Sequence, residues 1–329
     1  MKTNEPQWII DLDCQERIKD LAIYEASNNV STNLGKHTKF TMKMKTKKDL
    51  QQTISFEKES IHHDSIMPCF KYKGEYIFRN LKMSQNIKKY NYGGSSITYE
   101  RILGTFTLNL GCKFKSKVNT STKICALDLG VREFIVSYSD SKVAKFGIKS
   151  TDRLFKVCKE IDIINSRQNR KTYHTKDKKT GIKKEYKVNS KRKRQLRKAK
   201  HRKIRKLENL KKELHDQTIN YICKNYSKII IPPFETKNMV SNKKLKSRTA
   251  RNMYNLSFYE FREKLKHKAK ERNCVVSIRS EAYTSMTCTR CGNLKHELKM
   301  TDAIYKCKKC NLTIDRNYSA ARNILLRNN

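Results

Sequence analysis

Four cysteines in one short window carry the clearest chemistry in this 329-residue chain. Cys288 and Cys291 form one CxxC pair and Cys307 and Cys310 a second, with fifteen residues between the pairs. Two such pairs at that separation match a zinc ribbon, in which each knuckle gives two thiolates to a tetrahedral ion. Four free thiols in a reducing compartment are the plain alternative, yet the seven other cysteines (Cys14, Cys69, Cys112, Cys125, Cys158, Cys223 and Cys274) form no CxxC. Zinc with four protein ligands has no open position, so the expected site is structural, and His296 inside the ribbon is expected to face solvent. Two acidic residues bracket the ribbon, Glu281 before it and Asp315 after it. They are what the ribbon positions.

The second source of chemistry is charge. There are 74 Lys and Arg against 31 Asp and Glu, a formal net charge of +43. Repulsion on that scale opposes compaction unless a polyanion neutralises it, which points to nucleic acid or, less well, to an anionic membrane surface. No apolar run approaches the ~20 residues of a membrane span and no signal peptide opens the sequence, so a soluble intracellular protein is expected. An odd count of eleven cysteines also favours a reducing compartment over a disulfide framework. The charge peaks over residues 191–206, where eleven of sixteen positions are basic: Lys191, Arg192, Lys193, Arg194, Arg197, Lys198, Lys200, Arg202, Lys203, Arg205 and Lys206. A solvated face and a nuclear-localisation patch are the alternatives, but such density favours contact with backbone phosphates.

The elements that must hold these groups follow from periodicity. Residues 6–29 place Ile18, Leu21, Ala22 and Ala26 at helical spacing. From Lys39 the period becomes two, through Phe40, Met42 and Met44, then Phe70 and Tyr72 answered by Tyr76 and Phe78, then Phe106 to Phe114. That pattern predicts a small β-rich domain with a basic outer face. Lys123–Tyr138 predicts a strand ending at Asp128, a turn at Gly130 and a returning strand. An Asp in that place serves equally well as a turn residue. Residues 161–190 read as a polar surface insertion, and 191–206 with Leu207, Leu210 and Leu214 after it as one long helix, basic in front and amphipathic behind. Ser227–Glu235 predicts a buried parallel strand stopped by Pro232 and Pro233. A helix with Phe258, Phe261 and Leu265 on one face comes next, then a strand leading into Glu281. Hairpin, helix, strand, helix, strand, ribbon, helix is an α/β pattern.

Three separated stretches, ALDLGVREFIVSYSD, EAYTSMTCTRCG with YKCKKC, and IDRNYSAARNIL, resemble the split RuvC-like nuclease domain and zinc ribbon of the TnpB family of insertion-sequence proteins. The resemblance covers residues 121–329. It implies a ribonuclease H-like α/β fold over 121–329, including a basic helix at 188–222 and the ribbon at 283–313. Before it would come a β-rich wedge-like domain over 39–120 and a helical remnant of a recognition lobe over 1–38. Two departures matter. The family's usual glutamate at the end of the middle strand is replaced by Pro232, as in the Fanzor and giant-virus branch, where the glutamate moves to the strand entering the ribbon; here that residue is Glu281. The PQWI segment also resembles sequence that normally follows a further amino-terminal portion, so the chain is expected to be naturally short or a fragment.

The resemblance implies an RNA-guided DNA endonuclease of a transposable element. Hydrolysing a phosphodiester with magnesium or manganese needs about three converging carboxylates, and the family pattern gives Asp128, Glu281 and Asp315, with Glu235 as the alternative second carboxylate. Taken singly, Asp315 is also a good helix N-cap and Glu281 a plausible surface residue. The implied partners are a guide RNA and double-stranded target DNA, with the basic helix against the guide and hybrid. The implied location is wherever the DNA is: nucleus, cytoplasm or viral factory. Two other readings stay open, a catalytically inactive guide-RNA or DNA binder and a transposase accessory.

Overall fold

The computed structural model describes residues 7–11, 16–35, 40–41, 46, 48–61, 65–66, 71–72, 75–76, 81–87, 90, 92–113, 119–140, 142–170, 172–176, 181, 183–187, 190–233, 240, 246–298 and 302–328. Contacts divide the chain into two units, Met1–Phe114 and Lys115–Asn329.

The first unit holds helices α1 (Gln7–Ile10) and α2 (Glu16–Leu34), then strands β1 (Gln51–Phe56), β2 (Lys71–Tyr72), β3 (Glu75–Tyr76), β4 (Tyr92–Glu100) and β5 (Thr105–Cys112). β2 and β3 make the expected small hairpin, and β1, β4 and β5 form an antiparallel sheet in that order. Sequence reading missed β4 because its Gly-Gly-Ser-Ser start has no apolar alternation. The expected strand from Lys39 is not seen at residues 40–41, and Met42 and Met44 lie outside the described residues. One face of the sheet closes over Phe56, Ile61, Ile66 and Ile87, with Ile18 of α2 packed beside them. Ala22 of the expected apolar stripe is exposed. The other face corrects the expectation of a basic surface. Thr53, Thr98 and Asn109 meet there, with Thr53 Oγ1 at 3.1 Å from Thr98 Oγ1 and Asn109 Nδ2 donating to Thr98 Oγ1 at 3.1 Å.

The second unit is α/β. Its sheet is built from β6 (Ile124–Leu129), β7 (Ile135–Tyr138), β8 (Val143–Phe146), β11 (Lys228–Ile231) and β12 (Val275–Ile278), in the order β12-β11-β6-β7-β8. β6, β11 and β12 run parallel, and β7 is antiparallel to both of its neighbours. Between β8 and β11 lie α3 (Ser150–Asn169), the hairpin β9 (Thr172–Lys176) and β10 (Lys183–Lys187), and α4 (Ser190–Asn225). The expected polar insertion at 161–190 is thus corrected: its first nine residues continue α3, whose Leu154, Val157, Cys158 and Ile161 are buried. Helices α5 (Ser247–Leu256) and α6 (Phe258–Glu271) connect β11 to β12, and after β13 (Ile304–Lys306) and β14 (Thr313–Asp315) the chain ends in α7 (Arg316–Asn328).

Strand alternation divides the core into two layers. On β6, Cys125, Leu127 and Leu129 face α3 to α6, joined by Ile229 and Ile231 of β11 and by Phe258, Phe261 and Leu265 of α6. Ala126 and Ile230 face the other way, against Ile324 and Leu325 of α7. Because side chains alternate with a period of two, Asp128 shares the α7 face with Ala126. Burying each of these large aliphatic groups contributes about 1.5–3 kcal/mol, so the strands hold their register firmly.

His215 of α4 is fully buried in the larger layer, stacked on Phe134 at 5.3 Å between ring centroids. Its Nε2 donates to the Leu256 carbonyl at 2.8 Å, satisfying an acceptor at the end of α5. Burial holds its pKa down at about 4, against the opposing pull of the Leu256 bond. The folded pKa lies below the unfolded one, so the stability due to neutral His215 is complete above pH ~6.5 and is lost as pH falls toward 4. Between pH 6.5 and 5 it costs about 2 kcal/mol. The expected result in urea melts is that His215→Phe shrinks the loss of unfolding free energy from pH 7.5 to pH 5 by about that amount; an unchanged pH dependence would contradict it.

Candidate functional site

The ribbon follows β12 as two knuckles on a short hairpin. After each CxxC the chain must turn back in the left-handed region, and the residues there are Gly292 (φ 73°) and Asn311 (φ 54°), the two types that tolerate it best. Cys288 N–H donates to the Asn293 carbonyl at 2.8 Å and Cys307 N–H to the Leu312 carbonyl at 2.9 Å, closing the two knuckles alike. Tyr305 fills the space between them, fully buried, with its hydroxyl donating to the carbonyls of Met286 (3.2 Å) and Asn293 (3.3 Å).

The four sulfurs lie within 4.8 Å of one another, with Cys288–Cys310 and Cys291–Cys307 each at 3.6 Å. A tetrahedron with zinc–sulfur bonds of ~2.3 Å has edges of about 3.8 Å, so spacing and donor type both fit that ion. The thiols share protons unequally. N–H groups of Cys310 and Lys309 draw Cys307 down to about 6. Against the pull of the Leu312 N–H, burial and bonds from the other three cysteines push Cys310 up to about 12.

A second cluster lies on the α7 face of the sheet. Asp128 reaches it from β6, and Gly130 shapes the turn beyond: a Cβ there would meet the Glu133 carbonyl oxygen at 2.8 Å. Glu281 arrives three residues after β12, in a loop pinned by α7. Asn323 Nδ2 donates to the carbonyls of Thr284 and Thr287, both at 2.8 Å, and Arg327 donates to the Ala282 carbonyl at 2.8 Å. Asp315 comes from the end of β14. Its Oδ1 accepts the N–H groups of Asn317 (2.9 Å) and Tyr318 (3.2 Å), the bonds of a helix N-cap. Capping and site membership are therefore compatible roles for one carboxylate.

The electrostatic cost of this cluster falls chiefly on Asp128. Burial pushes Asp128 up to about 8; the charge of Glu281 adds to it, Arg316 opposes it, and Asp315 and Glu133 add further. Burial also raises Glu281. Carboxylates that resist ionising together are a site that gains from a cation, and an all-oxygen donor set suits magnesium or manganese. Among the described residues only the four cysteines form a group of three or more potential ligands within 4.8 Å, so no three of the carboxylates converge that closely. Glu235, the alternative carboxylate, lies outside the described residues.

Sequence reasoning missed Glu133 and Lys145. The Lys145 ammonium is 2.9 Å from Asp315 Oδ2 and 3.3 Å from Glu133 Oε1, and Asn317 Nδ2 donates to Glu133 Oε2 at 2.7 Å. The register across three strands, Asp128 opposite Val136 and Val136 opposite Lys145, puts Lys145 on the face of Asp128. Only the pairing of β8 reveals this, and β8 has no strong strand signal of its own.

The basic stretch is helical as expected, within the 36-residue α4. Lys191 to Arg194, Arg197, Arg202 and Lys206 are exposed, while Leu196 is buried and Leu207, Leu210 and Leu214 pack on the core. Lys203 pairs with Glu160 of α3 at 2.6 Å.

The Cas12f1-like TNB domain family matches residues 258–324. A TnpB-like protein of Acanthamoeba polyphaga mimivirus is 30% identical over 219 residues, which are 64% of this chain and 38% of that protein. The chain therefore matches well under half the length of that relative. The CRISPR-associated endodeoxyribonuclease Cas12f1 of Sulfoacidibacillus thermotolerans is 34% identical over 79 residues, 24% of this chain and 19% of that protein. A cryo-EM structure of a Cas12f1–sgRNA–target DNA complex aligns at 19% identity over 71% of this chain and 45% of that one, with a TM-score of 0.44.

Two outcomes follow from the geometry. The purified chain is expected to carry one zinc per molecule by elemental analysis, and Cys291→Ser to lose it with a fall in melting temperature; a zinc-free protein that melts like the loaded one would contradict the site. Asp128 has a folded pKa above its unfolded value, so its contribution is fully present below pH ~4 and is lost as pH rises through 8. In zinc-loaded protein without magnesium or manganese, Asp128→Asn should therefore raise the melting temperature at pH 8, with a smaller gain at pH 5. Equal gains at both pH values would rule out a strained carboxylate.

Proposed function

We propose that this chain, a member of the TnpB family, is an RNA-guided, divalent-metal-dependent DNA endonuclease derived from a transposable element. One observation carries the reading. Asp128, 153 residues before Glu281 in sequence, lies close enough to Glu281 and Asp315 for their charges to add to the burial that raises its pKa. Clusters of that kind are candidates for catalytic metal sites.

The strand order β12-β11-β6-β7-β8, with β7 alone reversed against its neighbours, supports a ribonuclease H-like assignment for residues 121–329. It also accounts for the proline at the end of β11. Ile231 pairs with Ile278 in parallel register, so Pro232 and the residues that lead to Glu281 leave neighbouring strand ends. A carboxylate moved from one end to the other is displaced by about one strand spacing, ~4.8 Å, plus the loop. This favours Glu281 over Glu235 as the second carboxylate.

Asp128, Glu281 and Asp315 would hold magnesium or manganese, which when bound supplies an activated water and stabilises the departing oxygen. The chain itself does the rest. Arg316 beside Asp128 adds positive charge at the site, the exposed basic turns of α4 take backbone phosphates of the guide RNA and its hybrid with target DNA, and the zinc ribbon fixes the loop that carries Glu281. Residues 39–120 serve as a wedge-like nucleic-acid-binding region and 1–38 as the end of a recognition lobe.

The test is cleavage of a DNA library by protein co-expressed with its flanking genomic sequence, in magnesium. Wild-type chain is expected to cut at guided sites, and Asp128→Ala and Glu281→Ala to lose at least ~100-fold in rate, since losing only a hydrogen-bond partner of a metal ligand already costs about 10- to 100-fold. Equal cleavage by Asp128→Ala would reject the site. Wild-type protein that retains RNA and cuts nothing would make the chain a guide-RNA binder.

A further inference from the structure

In the second unit Lys145 spans two carboxylates, those of Asp315 and Glu133. Asp315 has two oxygens and one is already spent. Oδ1 caps α7 through the N–H groups of Asn317 and Tyr318 at 2.9 and 3.2 Å, so only Oδ2 is available to a metal. Lys145 Nζ occupies that oxygen at 2.9 Å. The same ammonium is 3.3 Å from Glu133 Oε1 and 4.7 Å from the centroid of the Tyr318 ring, so it has a second seat close by. That seat is built: Glu133 is held by Asn317 Nδ2 at 2.7 Å, and its side chain is 13% exposed.

Resting on the carboxylate-site reading above, we infer that Lys145 is a resident counter-ion that competes with the divalent metal for Asp315 Oδ2, and that Glu133 is the seat onto which it withdraws when metal binds. Lys145 is a positioning residue in this scheme. It keeps Asp315 neutralised and oriented before metal arrives, and it sets how much metal is needed. A lysine suits the task because its single ammonium on a flexible stem can move between two acceptors without dragging the backbone. The cation changes places; no bond is made or broken.

The two residues are then linked in a way that a structural salt bridge is not. Removing Lys145 frees Oδ2 and leaves the carboxylates uncompensated, which strengthens metal binding. Removing the charge of Glu133 leaves Lys145 with one partner and weakens it. Without Lys145, Glu133 has no ammonium to accept, so its removal loses most of its effect. Non-additivity of this sort is what a double-mutant cycle measures.

The experiment is a manganese titration, followed by electron paramagnetic resonance, of the chain with zinc in its ribbon and no other metal bound. Manganese is chosen because it favours the oxygen site over the cysteine site. Lys145→Met is expected to bind about tenfold tighter than wild type, and Glu133→Gln several-fold weaker. Adding Glu133→Gln to Lys145→Met should change affinity by less than about twofold. Lys145→Arg, which keeps the charge and grips both carboxylates with a wider fork, should bind more weakly than wild type and serves if the methionine variant does not fold. Weaker or unchanged binding by Lys145→Met, or an undiminished effect of Glu133→Gln in its background, overturns the inference. Asp128→Asn separates the two levels: if it abolishes manganese binding while the Lys145 and Glu133 variants match wild type, the carboxylate site stands and the counter-ion scheme falls. Manganese binding indifferent to Asp128→Asn removes both.

Discussion

The docking of α7 on the sheet is the constraint on which the second unit depends. A 13-residue helix can lie close against a strand only where both surfaces are small or matched, and here Ala320, Ala321, Ile324 and Leu325 are all buried, the last two against Ala126 and Ile230. That seat fixes the helix axis, and three polar residues then act at defined heights along it. At its start Asp315 caps the first turn and Asn317 holds Glu133; further on Asn323 pins the loop behind Glu281 through two carbonyls. A pattern that looks conventional as a terminal helix is therefore a bracket joining the sheet, the ribbon and the acidic cluster.

The ribbon and the cluster have opposite electrostatic characters. In the ribbon four thiols are gathered tightly enough for a soft cation, with knuckle N–H groups favouring the thiolate of Cys307. On the sheet the carboxylates are gathered loosely, burial and mutual repulsion keep Asp128 protonated near neutral pH, and Lys145 supplies part of the missing positive charge. The first fits zinc in spacing and donor type. At the second, on the proposal above, ionisation, a lysine and a divalent ion would exclude one another in part, which is costly in stability.

Much of this was legible in residues alone, for identifiable reasons. The ribbon is written in local spacing, since each knuckle needs only CxxC and a residue that accepts positive φ. β6 and β11 are written as apolar runs that no helix of that length would need, and the long α4 by a leucine repeat behind its basic turns. α3 was obscured because its buried residues, Leu154, Val157, Cys158 and Ile161, are scattered among Lys, Glu and Asp, and its polar end merged with the hairpin that follows. β4 was obscured by its glycines and serines. The outer face of the first sheet was misjudged because the abundant lysines of that region were assigned to it, whereas its described strands expose threonine and asparagine.

The sequence by itself determined the metal-ligand type of the ribbon, the basic helix and the α/β alternation, because each depends on residue type and short-range spacing; the candidacy of Asp128, Glu281 and Asp315 came from the resemblance to the TnpB family. Only the tertiary structure decided what those carboxylates face. Glu133 and Lys145 enter the site through the pairing of β6, β7 and β8, and strand register is set by side chains packing across the sheet, so no reading of β8 alone contains it. The same holds for Asp315, whose cap and ion pair divide its two oxygens between a helix and a lysine 170 residues away.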